Sequence, residues 1–167
     1  MLASKNIIQG KTGETFAPSD DITRAQFAAL LSRALNLPKQ PYAATFSDVS
    51  TANWAAQDIE AANRAGIVQG EKGKFNPNAK ITRQQMAAMI IRAIEFKDPT
   101  SLKSVKSTLP FKDAASISEY AKEYVGLSAS LGIISGREEK GSFVFAPKEN
   151  ATRAHAAKML YKFIEME

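Results

Sequence analysis

Three stretches of the chain carry apolar residues at the spacing of one helical face. They follow Thr23, Thr82 and Thr152. Apolar residues that recur three and four positions apart predict amphipathic helices, each with one face buried. These faces consist of Phe27, Leu30, Leu31, Ala34 and Leu35 in the first stretch, of Met86, Met89, Ile90, Ala93 and Ile94 in the second, and of Met159, Leu160, Phe163 and Ile164 in the third.

The same short motif precedes each predicted helix. Its copies occupy residues 21–26, 80–85 and 150–155, and a Phe-x-Pro sequence stands before each of them. The threonine of each copy is a predicted N-cap, whose hydroxyl accepts a hydrogen bond from a free backbone N–H of the first turn. Gln26 and Gln85 stand three residues later and complete capping boxes. His155 takes that place in the third copy, where we expect a weaker cap.

The motif belongs to a longer repeat. The second unit, residues 46–96, is the most complete, with a helix from Trp54 to Gly66, an extended step, a glycine-containing loop and a second helix. The third unit, residues 111–167, has the same order, and the first, residues 1–37, lacks the first helix. One helix pair buries little surface alone, so we expect one all-α domain in which three helix-loop-helix units share a central three-helix bundle. Clefts would then lie between adjacent units.

Composition limits the chemistry available to the chain. It has 167 residues, a net charge of +5, one histidine and no cysteine, which excludes disulfides and thiolate catalysis. No metal-ligand cluster is visible, and no cofactor is expected. No apolar run reaches the ~20 residues of a membrane span, and no signal peptide is visible at the start. The positive charge favours anionic partners, but its scatter argues against nucleic acid.

An arginine occupies the first helical position of every copy: Arg24, Arg83 and Arg153. A cation there opposes the helix dipole by about 0.3–1 kcal/mol, so its repetition needs another reason. One reason is a salt bridge with a carboxylate of a neighbouring unit. The other is an anion site, in which the guanidinium and the free N–H groups of the helix start together bind a carboxylate or a phosphate.

Taken together, the motifs resemble the S-layer homology repeat. The resemblance is carried by Phe46-x-Asp48-Val49, Trp54-Ala55, Ile59, Gly66-Ile67-Val68-x-Gly70, Phe75-x-Pro77 and Ile81-Thr82-Arg83. It covers nearly the whole chain, as two full repeats and the latter half of another. The family usually shows Thr-Arg-Ala-Glu, and here Gln26, Gln85 and His155 replace the glutamate.

The resemblance implies a three-pronged, pseudo-threefold helical domain over residues 1–167, which anchors surface proteins to the bacterial cell wall or S-layer outside the cell. The implied partner is a secondary cell-wall polysaccharide, commonly ending in pyruvylated N-acetylmannosamine, and no enzymatic activity is implied. A cleft that needs the missing first helix would be incomplete. Carried over to this sequence, the ligand-binding residues are Arg24, Arg83, Arg153, Asp48, Trp54, Asp113, Gly70 and Gly136. Tyr120 stands where the third unit would have its tryptophan.

Several of these residues also have a structural interpretation. Trp54 is interpreted mainly as a packing residue, with sugar stacking as the alternative. Asp48 is a cap or turn residue, a ligand for sugar hydroxyls, or a solvated side chain. Gly70 and Gly136 are expected to adopt positive φ, with close approach of a ligand to the backbone as the alternative. His155 is expected at the surface.

Two other functions remain alternatives to non-catalytic binding of the wall polysaccharide. One is a structural or protein-interaction module, in which the arginines form inter-unit salt bridges. The other is a glycoside hydrolase with two carboxylates across a cleft, although the sequence offers no repeated acid pair.

Overall fold

The computed structural model describes residues 17–166, and predictions that concern residues 1–16 lie outside this part of the chain. Five α-helices dominate it, which confirms the predicted, mainly helical fold. They are α1 (Arg24–Ala34), α2 (Ala56–Arg64), α3 (Arg83–Lys97), α4 (Lys122–Ser130) and α5 (Arg153–Glu165). Two short 3-10 helices, Ala114–Ser116 and Glu119–Ala121, precede α4. An antiparallel hairpin, β1 (Arg137–Glu139) and β2 (Ser142–Val144), pairs Arg137 with Val144 where the sequence predicted a loop.

Helices α1, α3 and α5 begin where the repeated motif predicts. Each cap threonine accepts a hydrogen bond from the backbone N–H three residues on, and the side chain at that position accepts the threonine N–H in return. Gln26 and Gln85 accept through Oε1 at 2.9 and 3.0 Å, and His155 accepts through Nδ1 at 3.1 Å. His155 therefore takes the same capping role as the two glutamines.

Three hydrogen bonds join the residues that precede the cap threonines into a closed ring. The N–H of Ile22 donates to Ala151 O at 3.1 Å, that of Ala151 donates to Ile81 O at 2.8 Å, and that of Ile81 donates to Ile22 O at 3.0 Å. All three residues are buried, and the ring gives their backbone groups the partners that burial demands. It also brings together the starts of α1, α3 and α5, which contact one another.

The outer helices pack on the inner ones, α2 against α1 and α4 against α3. Gly66 follows the end of α2 with φ 72°, and Gly132 follows the end of α4 with φ 66°. A residue in this left-handed conformation ends many helices, and glycine adopts it without steric cost. The end of α2 is therefore where the sequence predicted it.

The start of α2 is later than predicted. Trp54 and Ala55 precede the helix, which begins at Ala56. The physical reason is a turn at Asn53, whose side-chain Oδ1 accepts the N–H of Ala55 at 2.9 Å and whose carbonyl accepts the N–H of Ala56 at 3.0 Å. An asparagine that bonds the backbone two residues on competes with helix formation.

Candidate functional site

Arg24, the first residue of α1, reaches into the second unit. Its Cζ lies 4.8 Å from the centre of the Phe75 ring. Its Nε donates to Phe75 O at 2.8 Å, and its Nη2 donates to Gln69 O at 3.1 Å. The cation–π contact and the two hydrogen bonds hold the guanidinium in one orientation. Arg24 therefore ties the start of α1 to the loop of the next unit.

Arg83 repeats this arrangement one unit further along the chain. Its Cζ lies 5.1 Å from the centre of the Phe145 ring, and its Nε donates to Phe145 O at 2.7 Å. Its Nη2 donates to Ser135 O at 3.0 Å. The remaining nitrogen, Nη1, lies 3.2 Å from Nε2 of His155.

Both arginines donate to backbone carbonyls rather than to carboxylates. Within residues 17–166, neither takes part in a salt bridge of 4 Å or less. Burial is the main cause that lowers the pKa of Arg24 and of Arg83, yet a guanidinium stays protonated in proteins. Each arginine thus holds a half-buried positive charge that no carboxylate of the described chain contacts.

The N–H groups of the first helical turn are not free, which corrects one part of the predicted anion site. In α1, the N–H of Arg24 donates to Ala79 O and that of Ala25 donates to Pro77 O. In α3, the N–H of Arg83 donates to Glu149 O in the same way. Because neighbouring units satisfy these donors, an anion would bind to side chains and not to the helix start itself.

A cleft of about 250 Å³, here called the Arg83 cleft, opens beside this arginine. Its polar lining includes Arg83, Ser135, Arg137, His155 and Lys158. Arg137 binds Glu149 through two hydrogen bonds of 2.7 and 2.6 Å, and Lys158 Nζ donates to Ser135 Oγ at 3.1 Å. Three cationic side chains therefore surround the cleft, and one carboxylate offsets them.

A second cleft, of about 410 Å³ and here called the Arg24 cleft, lies at the equivalent place one unit earlier. Its lining includes Arg24, Gln69, Lys74, Lys80, Gln85, Arg92 and Tyr120. Arg92 stacks on the Tyr124 ring at 4.6 Å and donates to the Tyr124 hydroxyl at 3.2 Å. Tyr120 is 52% exposed and offers an aromatic wall. The cleft combines cations with an aromatic surface.

Asp48 and Asp113 hold the loops whose carbonyls the arginines bind. The two carboxylate oxygens of Asp48 accept the N–H groups of Phe75 and Asn76, at 2.8 and 2.7 Å. Those of Asp113 accept the N–H groups of Phe145 and Ala146, at the same two distances. Both aspartates therefore occupy turn positions, and a direct role in ligand binding stays a prediction.

Asn76 and Ala146, which these aspartates bind, have φ values of 57° and 56°. Residues other than glycine rarely adopt this left-handed backbone conformation, and it persists only where the surrounding structure enforces it. Burial opposes ionisation of Asp48, but the N–H bonds from Phe75 and Asn76 outweigh it and lower the pKa of that carboxyl below its usual value. The carboxylate is thus the form that stabilises the loop.

Substitution of Asp48 by asparagine is expected to lower the free energy of unfolding by about 1–3 kcal/mol, because an amide N–H₂ then faces a backbone donor. The effect should be present above the unfolded-state pKa of aspartate, and should vanish as the pH falls through the lower folded-state pKa. Urea unfolding at pH 7 and at acidic pH measures both. Glu138→Gln, at an exposed position of β1, is the matched control. Equal stability of Asp48→Asn and the wild type at pH 7 would contradict this role.

Gly70 and Gly136 do not have the positive φ that the sequence predicted. They are required for close packing instead. A Cβ on Gly70 would lie 2.5 Å from the Phe46 ring and 2.6 Å from Lys74 O, and one on Gly136 would lie 2.6 Å from Val144 O. The alternative of close contact with a ligand is not needed to explain them.

Trp54 does not pack in the core, which corrects the expectation from the sequence. It exposes 61% of its surface, because the turn at Asn53 places it before α2 rather than on its buried face.

Arg153 donates its backbone N–H to Asp20 O at 2.8 Å. The loop of the first unit that would correspond to residues 69–75 lies outside the described residues.

The sequence did not predict several of the residues that line the clefts. Arg92 and Lys158 line the two clefts, and His155, expected at the surface, is half-buried beside Arg83. Helical spacing offered a signal, because Arg92 follows Gln85 by seven positions and Lys158 follows His155 by three. Residues at these spacings share one face of a helix.

Comparison with known proteins identifies the family. The family model described as "S-layer homology domain" matches residues 1–28, 45–87 and 110–157. The chain therefore belongs to the S-layer homology family, which confirms the resemblance predicted from the motifs.

The relatives are much longer proteins. The chain is 41% identical over 165 residues to an amylopullulanase of Thermoanaerobacterium thermosulfurigenes, covering 99% of this chain and 9% of that protein. It is 32% identical over 162 residues to the S-layer protein sap of Bacillus anthracis, covering 96% and 19%. The chain thus spans less than a fifth of either relative.

A solved structure shows the same fold. It is the undecaheme cytochrome from the S-layer of Carboxydothermus ferrireducens, with a TM-score of 0.53 and 17% sequence identity over 99% of this chain and 20% of that one.

Family and S-layer relatives together indicate a cell-wall anchoring module with an extracellular location at the cell wall or S-layer, as predicted.

Two further features concern metal binding and membrane insertion. Across residues 17–166, no group of three or more histidine, cysteine, aspartate or glutamate side chains is placed to hold a metal ion. In the same part of the chain, every helix is too short or too polar to cross a bilayer.

Proposed function

We propose that this chain is a non-catalytic anchoring module that binds the acidic end of a secondary cell-wall polysaccharide, such as pyruvylated N-acetylmannosamine. The Arg83 cleft and the Arg24 cleft are the proposed binding sites, within a three-pronged, pseudo-threefold domain. One observation carries the proposal. Arg24 and Arg83 are each oriented by carbonyls and a phenyl ring and border a cleft. Neither has a carboxylate oxygen within 4 Å among the described residues.

The chemistry of such a sugar suits these clefts. A pyruvyl ketal carries a carboxylate, for which a fixed guanidinium is a favourable partner. Small-ligand sites span ~300–1,000 Å³; the Arg83 cleft, at about 250 Å³, is slightly smaller, and the Arg24 cleft, at about 410 Å³, lies within this range. A charged hydrogen bond contributes roughly 1.5–3 kcal/mol, and ~8 kcal/mol corresponds to micromolar affinity. A few such contacts and one sugar on an aromatic wall therefore suffice for anchoring.

The predicted site residues divide into two proposed roles. Arg24 and Arg83 contact the ligand, and Tyr120 supplies an aromatic wall in place of tryptophan. Asp48 and Asp113 position the loops that orient the arginines. Arg153 and Trp54 keep the ligand-contact role that the family resemblance implies for them, as a proposal.

A structural module is the second candidate, and one observation favours it. The arginines join adjacent units through carbonyls, and so contribute to the fold whether or not a sugar binds. Under this hypothesis, their loss lowers the melting temperature while no glycan binds to the wild type.

The test uses purified wall polysaccharide in two forms, one native and one freed of pyruvyl groups by mild acid. Calorimetry should show binding to the native polymer, at least tenfold weaker binding to the treated one, and no release of reducing sugar. Equal binding of both polymers would contradict recognition of the anion. A failure of both to bind would favour the structural module.

A further inference from the structure

In the Arg83 cleft, two hydrogen-bond donors face each other without an acceptor between them. Nδ1 of His155 accepts the backbone N–H of Thr152 at 3.1 Å, so this nitrogen carries no proton. A neutral imidazole has one proton, which must then lie on Nε2. Nε2 lies 3.2 Å from Nη1 of Arg83, which is also a donor. Two donors this close are favourable only when they share an acceptor.

The surroundings of His155 are strongly cationic. Arg83 of α3, Arg137 of β1 and Lys158 of α5 face the imidazole, and Glu149, in the loop before α5, is the opposing carboxylate. Glu149 is already engaged by Arg137 at 2.6 Å. Burial, then Arg83, Lys158 and Arg137, lower the pKa of His155 below its ordinary value. Burial and these cations thus disfavour protonation of the imidazole.

We propose that His155 is a specificity-determining residue of the Arg83 cleft, where its Nε2–H and the Nη1–H of Arg83 clamp one carboxylate oxygen and make binding stronger in acid. The assignment of this carboxylate to an acidic sugar end rests on the proposed function. The clamp itself rests on the two facing donors.

The direction of the pH effect follows from linkage. A bound carboxylate offsets the charge of Arg83, Lys158 and Arg137, so it raises the pKa of His155. The added proton goes to Nδ1 and breaks the bond from the Thr152 N–H, but this cost is the same with and without the carboxylate and leaves the direction unchanged. Affinity is then constant at pH above both pKa values of His155, with and without the carboxylate. It rises as the pH falls between these two pKa values, and it is constant again below them. A difference of one pH unit between the pKa of His155 in the bound and in the free protein changes the binding constant at most tenfold. We therefore expect affinity about three- to tenfold higher at pH 5.5 than at pH 7.5.

The Arg24 cleft supplies the matched comparison. Gln85 has the capping place there that His155 has in the Arg83 cleft, with Oε1 accepting the N–H of Thr82. A glutamine keeps the cap and offers an amide donor to the cleft, but it does not titrate. The two clefts should therefore differ in pH dependence although both contain the arginine.

The first experiment follows His155 by NMR, with pyruvate as the probe. The chain has a single histidine, so its imidazole signals need no assignment. Nitrogen-15 shifts should show the Nε2–H tautomer, and pyruvate should move the titration midpoint upward. Arg83→Gln should abolish this movement. The Nδ1–H tautomer, or a midpoint that pyruvate leaves unchanged, would overturn the clamp without reference to any polysaccharide.

The second experiment measures wall-polymer binding in an Arg24→Ala background, which removes the contribution of the Arg24 cleft. Calorimetry in two buffers of different ionisation enthalpy should show proton uptake on binding near pH 6. His155→Gln in the same background should bind with no proton uptake and with equal affinity at pH 7.5 and 5.5. The same proton uptake in this variant would refute the inference and leave the proposed function intact.

Discussion

Replacement of Arg24 and Arg83 together by alanine is expected to remove detectable binding to pyruvylated wall polymer. Each guanidinium contributes a charged hydrogen bond of roughly 1.5–3 kcal/mol, so each single variant should weaken binding at its own cleft about 10- to 150-fold and leave the other cleft intact. Calorimetry with purified polymer measures this. Lys103→Ala with Lys106→Ala removes the same charge from an exposed linker and is the control for non-specific attraction.

A second pair of variants separates the loss of binding from the loss of stability. Because both arginines hold loops of the next unit through carbonyls, alanine will lower the melting temperature as well as binding. Arg24→Lys with Arg83→Lys keeps the charge but not the planar fork. Folded lysine variants that bind weakly would assign the loss to the fork itself. Undiminished binding by the folded alanine pair would refute the proposed sites.

Phe145→Ala is expected to lower the free energy of unfolding by about 3–5 kcal/mol. Phe145 is 1% exposed, packs on Phe111 with ring centres 5.2 Å apart, and lies under the guanidinium of Arg83. Urea unfolding measures the loss. At the same time, the Arg83 cleft should lose its wall.

Phe143→Ala is the matched control, two positions away on β2. Phe143 is 46% exposed, and its ring centre lies 5.6 Å from that of Phe111. Its removal leaves little buried space empty, so its cost should stay below about 1.5 kcal/mol. Similar losses for the two variants would contradict the assignment of Phe145 to the core between units.

The family and the order of elements could be predicted because their signals are local or repeated. Cap threonines with Gln26 and Gln85, apolar faces at helical spacing, and Gly66 after α2 act within a few residues. The hairpin at residues 137–144 was missed, since short exposed strands lack an apolar pattern. The start of α2 was misplaced, because the turn formed by Asn53 outweighed the apolar residues around it.

The candidate site was found only in outline. Repetition pointed to the arginines, but their partners are carbonyls 51 and 62 positions away for the Nε bonds. No side-chain pattern encodes a backbone carbonyl. The alternative of a carboxylate partner is therefore wrong for Arg24 and Arg83 within the described residues, and the predicted free helix start is wrong as well. His155 faces Arg83 across 72 positions, which no local pattern reveals.

The sequence by itself therefore determined where the helices of the repeated motif begin and which faces they bury, because interactions three or four residues apart fix these features. It also determined the family, because the same motifs recur along the chain. Only the tertiary structure decided what the arginines bind, why Gly70 and Gly136 lack a side chain, and why Trp54 is exposed. These depend on which distant segments meet. The ring of Ile22, Ile81 and Ala151 sets that meeting by joining three parts of the chain through backbone hydrogen bonds.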